Sequence, residues 1–347
     1  MRPHDVAHPA NAVPVLSHAQ EGPLESWIDT CSTIFGIAPI NRDDEQKDYR
    51  SQSWFLDPIM VSNSHYYSMA AERRNWHIQE AGAQIHVHRY TYGCASVESC
   101  NTPVECETGA VTLLDYCRPF RSVHTDNNCQ SFFVPHDAIN YRPSDAPHAV
   151  TYSPYSRIGL LIGQEMDNLL SQLRSGADFI DPDDIQRFLG CVEVAMSPQT
   201  ASKSARLLMR ASLKDAIQLF IEQRLGWPNL TTTLVLQNFG VSRATLYRMF
   251  EAEQGVRTYI GHRRLIRAVV DLASAPSTRG HIHKVAERWG FTSDASFNRV
   301  VRRRFGVAPG SLFQMPIQYA NQFSPSSSVQ ALMLAKARTA RHAFADA

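Results

Sequence analysis

Asp294, Asn298, Arg299, Arg302 and Arg303 share one side of a helical pattern whose other side is Phe297, Val300, Val301 and Phe305. Apolar residues at offsets of 3, 4 and 8 fall on one face of a helix, which leaves the polar set pointing away from the core. Arginine offers two parallel donors to the edge of guanine, and asparagine offers a donor and an acceptor to adenine. Such a face therefore suits base edges in a major groove about 12 Å wide. A second face of this kind comes earlier in the chain, where Arg243, Ala244, Tyr247 and Arg248 oppose Leu246, Met249 and Phe250.

Each face needs an element to hold it. Ile282, Val285 and Ala286 put apolar groups on one side of a short helix, Gly290 closes it, and Thr292 or Ser293 caps the polar-faced helix that follows. A short helix, a glycine turn and a second helix make a helix-turn-helix. The earlier copy runs from Thr231 to Phe250, with Leu234 and Val235 on its first helix, Gly240 in the turn and Ser242 as the cap. Between the copies, Ile260, Leu265, Ile266, Val269, Val270 and Leu272 predict a helix over 258–273. At 1.5 Å per residue it is roughly 24 to 30 Å long, close to the roughly 34 Å of one DNA turn.

These residues closely resemble the DNA-binding domain of the AraC/XylS family of bacterial transcription regulators. The resemblance rests on Gly240-Val241-Ser242, on Leu246 to Phe250, and on Gly255, Arg264-Leu265 and Ala268. It continues through Ile282, Val285-Ala286, Gly290-Phe291, Ser296-Phe297, Arg299, Phe305-Gly306 and Pro309. It implies a seven-helix domain with Arg243, Ala244, Tyr247 and Arg248 in one groove and Asp294, Ala295, Asn298 and Arg299 in the next. Arg243, Arg248, Asn298 and Arg299 would read bases, with Tyr247 stacking or touching a methyl group, while Ser242, Thr245, Ser296, Arg302 and Arg303 would hold phosphates. It also implies double-stranded DNA and RNA polymerase as partners, and a homodimer.

The chain of 347 residues has a formal net charge of +1 that hides an asymmetry: 1–204 sum to about −11 and 205–313 to about +10. The sign change assigns the nucleic acid to the second half. No apolar run resembles a signal peptide or a membrane span, so a cytoplasmic protein is expected, and seven cysteines without an export signal fit reduced thiols.

Residues 1–23, rich in Pro, Ala and His, read as a flexible arm, and a short helix is expected near Trp27 to Phe35. From Ser51 to about Val150 the pattern alternates, as in Gln84 to Tyr90 and Gln130 to Val134, which predicts a small antiparallel barrel or jelly roll. Leu114-Asp115-Tyr116 and Phe133-Val134-Pro135-His136 resemble the ligand-binding domain of AraC-type regulators, which implies a cupin-like barrel that takes a small effector. Ile158, Leu161, Ile162, Met166, Leu169, Leu170 and Leu173, then Ile185, Phe188, Leu189, Val192 and Ala195, form two helical stripes that either pack on the barrel or pair two copies. The expected class is α+β, with an N-terminal antiparallel β-barrel flanked by helices and a C-terminal all-α double helix-turn-helix domain. The expected boundaries are an effector-binding and dimerisation domain at 24–196, a linker at 197–204, a DNA-binding domain at 205–315 and a tail at 316–347.

Other chemistry is sparse. Trp54, Tyr66, Tyr67, Trp76, Tyr90 and Tyr92 are candidates to stack an aromatic effector, and Arg89 or Arg118 to pair with a carboxylate; as core aromatics and surface arginines they would need no ligand. His86 and His88 face the same way on a strand, but Arg89 to Gly93 supply no carboxylate to complete a cupin metal site, so no metal or cofactor is expected. Cys94, Cys100 and Cys106 lack Cys-x-x-Cys spacing and are read as buried or inert. With no nucleophile beside a base and no glycine-rich phosphate loop, an enzyme is not expected. Two alternatives stand beside the regulator: a metal-dependent cupin oxygenase fused to a DNA-binding domain, and a thiol- or metal-sensing regulator.

Overall fold

The alternating stretch folds as two antiparallel sheets. The computed structural model describes residues 12–41, 44, 47–100, 102–144, 146–273, 280–306 and 308–314. In chain order its strands are β1 (Val13–Pro14), β2 (Leu16–Pro23), β3 (Gly36–Pro39), β4 (Asp48–Leu56), β5 (Ile59–Tyr66), β6 (Met69–Arg73) and β7 (Gln84–Tyr92). They continue with β8 (Ala95–Ser99), β9 (Thr102–Cys106), β10 (Val111–Asp115), β11 (Phe120–His124), β12 (Asn127–Pro135), β13 (Ala149–Tyr152) and β14 (Phe179–Ile180). Four helices accompany them: α1 (Leu24–Cys31), α2 (Asn75–Ala81), α3 (Arg157–Arg174) and α4 (Pro182–Met196).

One sheet has the order β13-β10-β7-β12-β5-β4-β2 and the other β3-β6-β11-β8-β9. A single apolar cluster joins Tyr66, Tyr90, Leu114 and Cys129 of the first to Met69, Val97, Cys106 and Phe120 of the second, so the sheets enclose a common core. On β8 the period of two is plain, with Ala95, Val97 and Ser99 buried and Ser96 and Glu98 exposed. The central strands β7 and β12 are covered on both faces, because α3 and α4 lie against the outer one. There the Phe132 and Phe188 rings stand 4.8 Å apart.

Both helical stripes are consumed inside the N-terminal unit: Leu161, Ile162, Met166, Leu169, Leu170 and Leu173 of α3 are buried, as are Ile185, Phe188, Leu189, Val192 and Ala195 of α4. Ser156 caps α3 by accepting from Gly159 N, and Asp181 caps α4 by accepting from Asp183 N ahead of a proline in its first turn.

The second half of the segment read as an arm is a strand. Leu16–Pro23 pairs with β4 from Leu16↔Phe55 to Pro23↔Asp48. This is an edge position, where proline is tolerated and most side chains face outward, so no apolar alternation marks it. Residues 1–11 of that arm and the basic residues Lys336, Arg338 and Arg341 of the tail lie outside the described residues.

The chain divides between Leu213 and Lys214 into two compact units. The division falls inside α5 (Lys203–Gln223), later than the stretch of linker composition at 197–204. That stretch is tied to its own unit: Ser202 N donates to Glu193 Oε1 at 2.6 Å, and Asn140 Nδ2 donates to Thr200 O at 3.2 Å.

The second unit is helical. It contains α6 (Thr232–Phe239), α7 (Arg243–Met249), α8 (Val256–Ala273), α9 (His281–Arg288), α10 (Asp294–Phe305) and a 3-10 turn at Pro309–Gln314. Leu265, Ala268, Val269 and Leu272 of α8 pack with Val285, Ala286, Phe297 and Val301 into one core. Among the described residues, no helix is long and apolar enough to cross a membrane.

Candidate nucleic-acid interface

The first reader is built by three local devices. Thr231 accepts from Leu234 N and starts α6. Gly240 takes the left-handed φ of 57° that ends it, and Ser242 accepts from Thr245 N at 3.1 Å to start α7. Val235, Phe239, Leu246 and Met249 are buried, while Arg243, Ala244, Tyr247 and Arg248 are exposed. Tyr247 is 61% exposed, too much for a core aromatic. Ser242 Oγ and Thr245 Oγ1 also lie 2.9 Å apart, so both hydroxyls are engaged at the cap that points the helix end outward.

The second reader repeats the design. Gly290 has φ 73°, and Ser293 rather than Thr292 caps α10, accepting from Ser296 N at 3.1 Å. Phe297 and Val301 are fully buried; Asp294, Ala295, Arg299, Arg302 and Arg303 are exposed, and Ser296 and Asn298 are half-buried. Two of these polar groups are partly committed within the protein. Asp294 Oδ1 meets His283 Nδ1 of α9 at 2.8 Å, and Asn298 Nδ2 donates to Asp294 O at 3.2 Å, which leaves its carbonyl and second amide hydrogen to reach a base. Burial does not compete for the arginines.

The helix between the readers spans 18 residues, about 27 Å at 1.5 Å per residue. It is anchored by charge as well as by apolar packing. Glu222 of α5 is buried against Arg263, with Nη2 of that arginine 3.1 Å from Oε2, and the same oxygen accepts from Arg267 Nη2 at 2.9 Å. Arg264 donates to Leu225 O at 2.8 Å and to Trp227 O at 2.7 Å, closing the end of α5.

A family model described as a helix-turn-helix domain matches residues 235–315. Regulatory protein SoxS of Escherichia coli strain K12 is 34% identical over 92 residues, which cover 26% of this chain and 82% of SoxS. This chain belongs to the AraC/XylS family. It is a helix-turn-helix DNA-binding transcription regulator of that family, and the region matched by the family model contains α7 and α10, the polar-faced helices of both readers. Among solved structures, the AraC-like transcriptional activator CuxR aligns with a TM-score of 0.45 at 17% identity, over 72% of this chain and 95% of that one. ToxT from Vibrio cholerae O395 aligns with a TM-score of 0.25 at 16% identity, over 66% of this chain and 88% of that one.

The N-terminal unit of this AraC/XylS member scatters the effector candidates. Tyr66 and Tyr90 line the space between the sheets together with His86, His88 and His124, but the volume there is only about 40 Å³. A buried water needs roughly 10 to 15 Å³ and small-molecule sites about 300 to 1,000 Å³, so this interior has room for water-sized molecules only. Trp54 is buried and lines neither cavity, Trp76 is exposed on α2, Tyr92 is exposed, and Tyr67 is half-buried beneath Lys47. Arg89 points the other way from the lumen. It is bonded to Gln130, to Gly163 O and to Asp167 of α3, so it ties helix to sheet. Arg118 is half-buried and lines neither cavity.

The lumen histidines are held neutral by burial. His88 is pushed down to about 3 and His124 to about 4, and His86 also falls well below its usual value. His86 Nδ1 meets Tyr116 OH at 2.9 Å, and His124 bridges Tyr90 OH at 3.1 Å and Ser122 Oγ at 2.8 Å. One group among the described residues brings metal-type ligand atoms within 4.8 Å of each other, Asp115, Cys117 and His136. Its carboxylate is already satisfied by His136 Nε2 at 3.1 Å, Cys117 N at 2.9 Å and Tyr141 OH at 2.9 Å. Of the three spaced cysteines, Cys94 and Cys100 are exposed at strand ends rather than buried between the sheets, whereas Cys106 is buried, which pushes its thiol up to about 11.

A larger space opens at one end of the barrel, with a volume of about 550 Å³. None of the effector candidates lines it. The residue overlooked is Arg73, which lines this space and is 1% exposed. Its position in the alternation of β6 offered a signal, since Met69, Ala71 and Arg73 share the buried face.

Proposed function

We propose that this chain reads a promoter sequence through Arg243, Arg248, Asn298 and Arg299, and that a small-molecule effector in the N-terminal unit controls that reading. The observation that carries the DNA roles is the matched exposure of the two readers: on each, the helix face opposite the buried core bears arginine with no polar partner among the described residues, and an 18-residue helix stands between them. Tyr247 adds a stacking or methyl contact. Ser242, Thr245, Ser296, Arg302 and Arg303 lie at helix starts or on exposed turns where phosphates pass.

In this reading 24–196 senses and pairs, 205–315 binds DNA, and the protein works in the cytoplasm as a homodimer in contact with RNA polymerase, without catalysis. Pairing uses surfaces other than the apolar stripes of α3 and α4, which are already buried. An effector shifts operator affinity only to the extent that it prefers one state of the protein over another.

The test is genome-wide mapping of bound sites, followed by operator titration of the full chain and of Arg248→Ala and Arg299→Ala. Each variant should lose affinity for the mapped site while binding random DNA almost as before. Equal losses on both would reject the base-reading roles.

A further inference from the structure

The N-terminal unit contains a buried positive charge with no carboxylate in contact among the described residues, next to a space the size of a small molecule. Arg73 is 1% exposed. Its Nε donates to Tyr116 O at 2.7 Å, Nη1 donates to Ile34 O, and the guanidinium lies 4.9 Å from the Tyr116 ring centroid. Nη2 has no hydrogen-bond partner among the described residues. Arginine does not escape this by losing its proton, because guanidinium stays charged in proteins.

Among the described residues, no neighbouring carboxylate neutralises it by contact. Asp115 carries opposite charge close enough to be felt, but both of its oxygens are committed to His136, Cys117 N and Tyr141. Glu72, the acidic residue beside it on β6, is bonded to Arg74 and Arg121. Burial holds the pKa of Arg73 below the usual arginine value, the reverse of what a paired carboxylate would do.

The space it borders measures about 550 Å³, within the range of about 300 to 1,000 Å³ that small-molecule sites occupy. Its walls include Leu56, Ile59, Phe133 and Pro135, and Leu16 and Phe55 stand 69% and 47% exposed at its edge. The other charged residue in its wall is Asp57, which is exposed. A negative rim and a buried cation orient an anion head-inward.

We propose that this end cavity binds an organic carboxylate with an apolar body, whose carboxylate supplies the missing partner of Arg73. The assignment rests on the reading that the N-terminal unit takes an effector, and it moves the site from the lumen to the barrel end. It also names the ligand class. The apolar body covers Leu16 and Phe55, and the head group forms the charge-assisted bond that Nη2 lacks.

Isothermal titration of the full chain with octanoate and benzoate, each paired with its amide, tests this directly. At least one acid should bind ten-fold or more tightly than its amide. Met60→Trp, which fills the cavity from a half-exposed wall position and leaves Arg73 alone, should abolish that binding with the thermal midpoint unchanged. Arg73→Lys should keep a weakened preference for the acid, and Arg73→Met should lose it. Equal binding of acid and amide, binding that survives Met60→Trp, or no acid binding at all overturns the assignment. Operator affinity is read separately: acid binding that depends on Arg73 but leaves the operator untouched upholds the site and refutes effector control.

Discussion

Gly290 lies directly against the guanidinium of Arg264: a Cβ at that glycine would stand 2.9 Å from Arg264 Cζ, and its φ of 73° is one that side-chain-bearing residues rarely adopt. The turn of the second reader is thereby packed on the arginine that closes the end of α5 through Leu225 O and Trp227 O. Gly290→Ala should destabilise the C-terminal unit by about 1 to 3 kcal/mol from backbone strain and the displaced arginine together. Urea unfolding of the two proteins measures this, and a loss below about 0.5 kcal/mol, the range of an ordinary surface change, would show that the contact relaxes freely.

The buried Glu222 should matter more to stability than any surface ion pair. Removing it as Glu222→Ala takes away the buried carboxylate shared by Arg267 and by Arg263, itself 9% exposed at the side chain. Losses of about 3 to 5 kcal/mol accompany such a break, against about 0 to 1 for exposed pairs such as Arg50 with Glu21. Denaturant midpoints of Glu222→Ala and Glu21→Ala should therefore differ clearly, and similar values would mean that water reaches the Glu222 site.

Specificity and affinity should separate on α10. Arg299→Ala is expected to cost about 1 to 3 kcal/mol on the preferred site and to relax one base position, whereas Arg303→Ala should weaken all sequences alike and lower the salt slope by about 1. Fluorescence anisotropy over a salt series distinguishes them. Identical behaviour of the two variants would dissolve the division into base and phosphate contacts.

His283 is raised above 6.5 by its hydrogen bond to Asp294 and then by the charge of that carboxylate. A raised folded value means that the stabilising contribution is complete below the unfolded 6.5 and disappears as pH climbs through the folded value. NMR titration should place His283 above 6.5 and should bring it back toward 6.5 in Asp294→Asn. An unchanged titration in that variant would rule out the pairing.

The lumen histidines predict the opposite slope for the N-terminal unit. His88 and His124, at about 3 and about 4, stay neutral when folded, so the unfolded chain takes up the extra protons once pH falls below 6.5. Stability should decline from about pH 6.5 downward, and His88→Phe should flatten that decline. Thermal melts at pH 7 and pH 5 provide the comparison.

The two readers were legible in the residues alone because everything that makes them is local. Offsets of 3 and 4 put Phe297 and Val301 inside and Arg299 outside, and Gly240, Ser242 and Gly290 mark ends that the adjacent residues themselves determine. Of the two adjacent hydroxyl residues able to cap α10, Ser293 does so. In the N-terminal unit alternation likewise located strands such as β7 and β12, and the parity of Arg73 on β6 was visible.

Alternation says which side chains share a face, but not what that face meets across the fold. Arg89 met α3 from a strand more than seventy residues earlier, and Tyr66 and Tyr90 met a lumen already filled with histidines. Leu16–Pro23 gained its strand from β4 rather than from any pattern of its own. Only the pairing of distant segments left Arg73 beside an apolar space with one nitrogen unsatisfied among the described residues, since charge compensation and empty volume belong to the assembled packing and not to any stretch of chain.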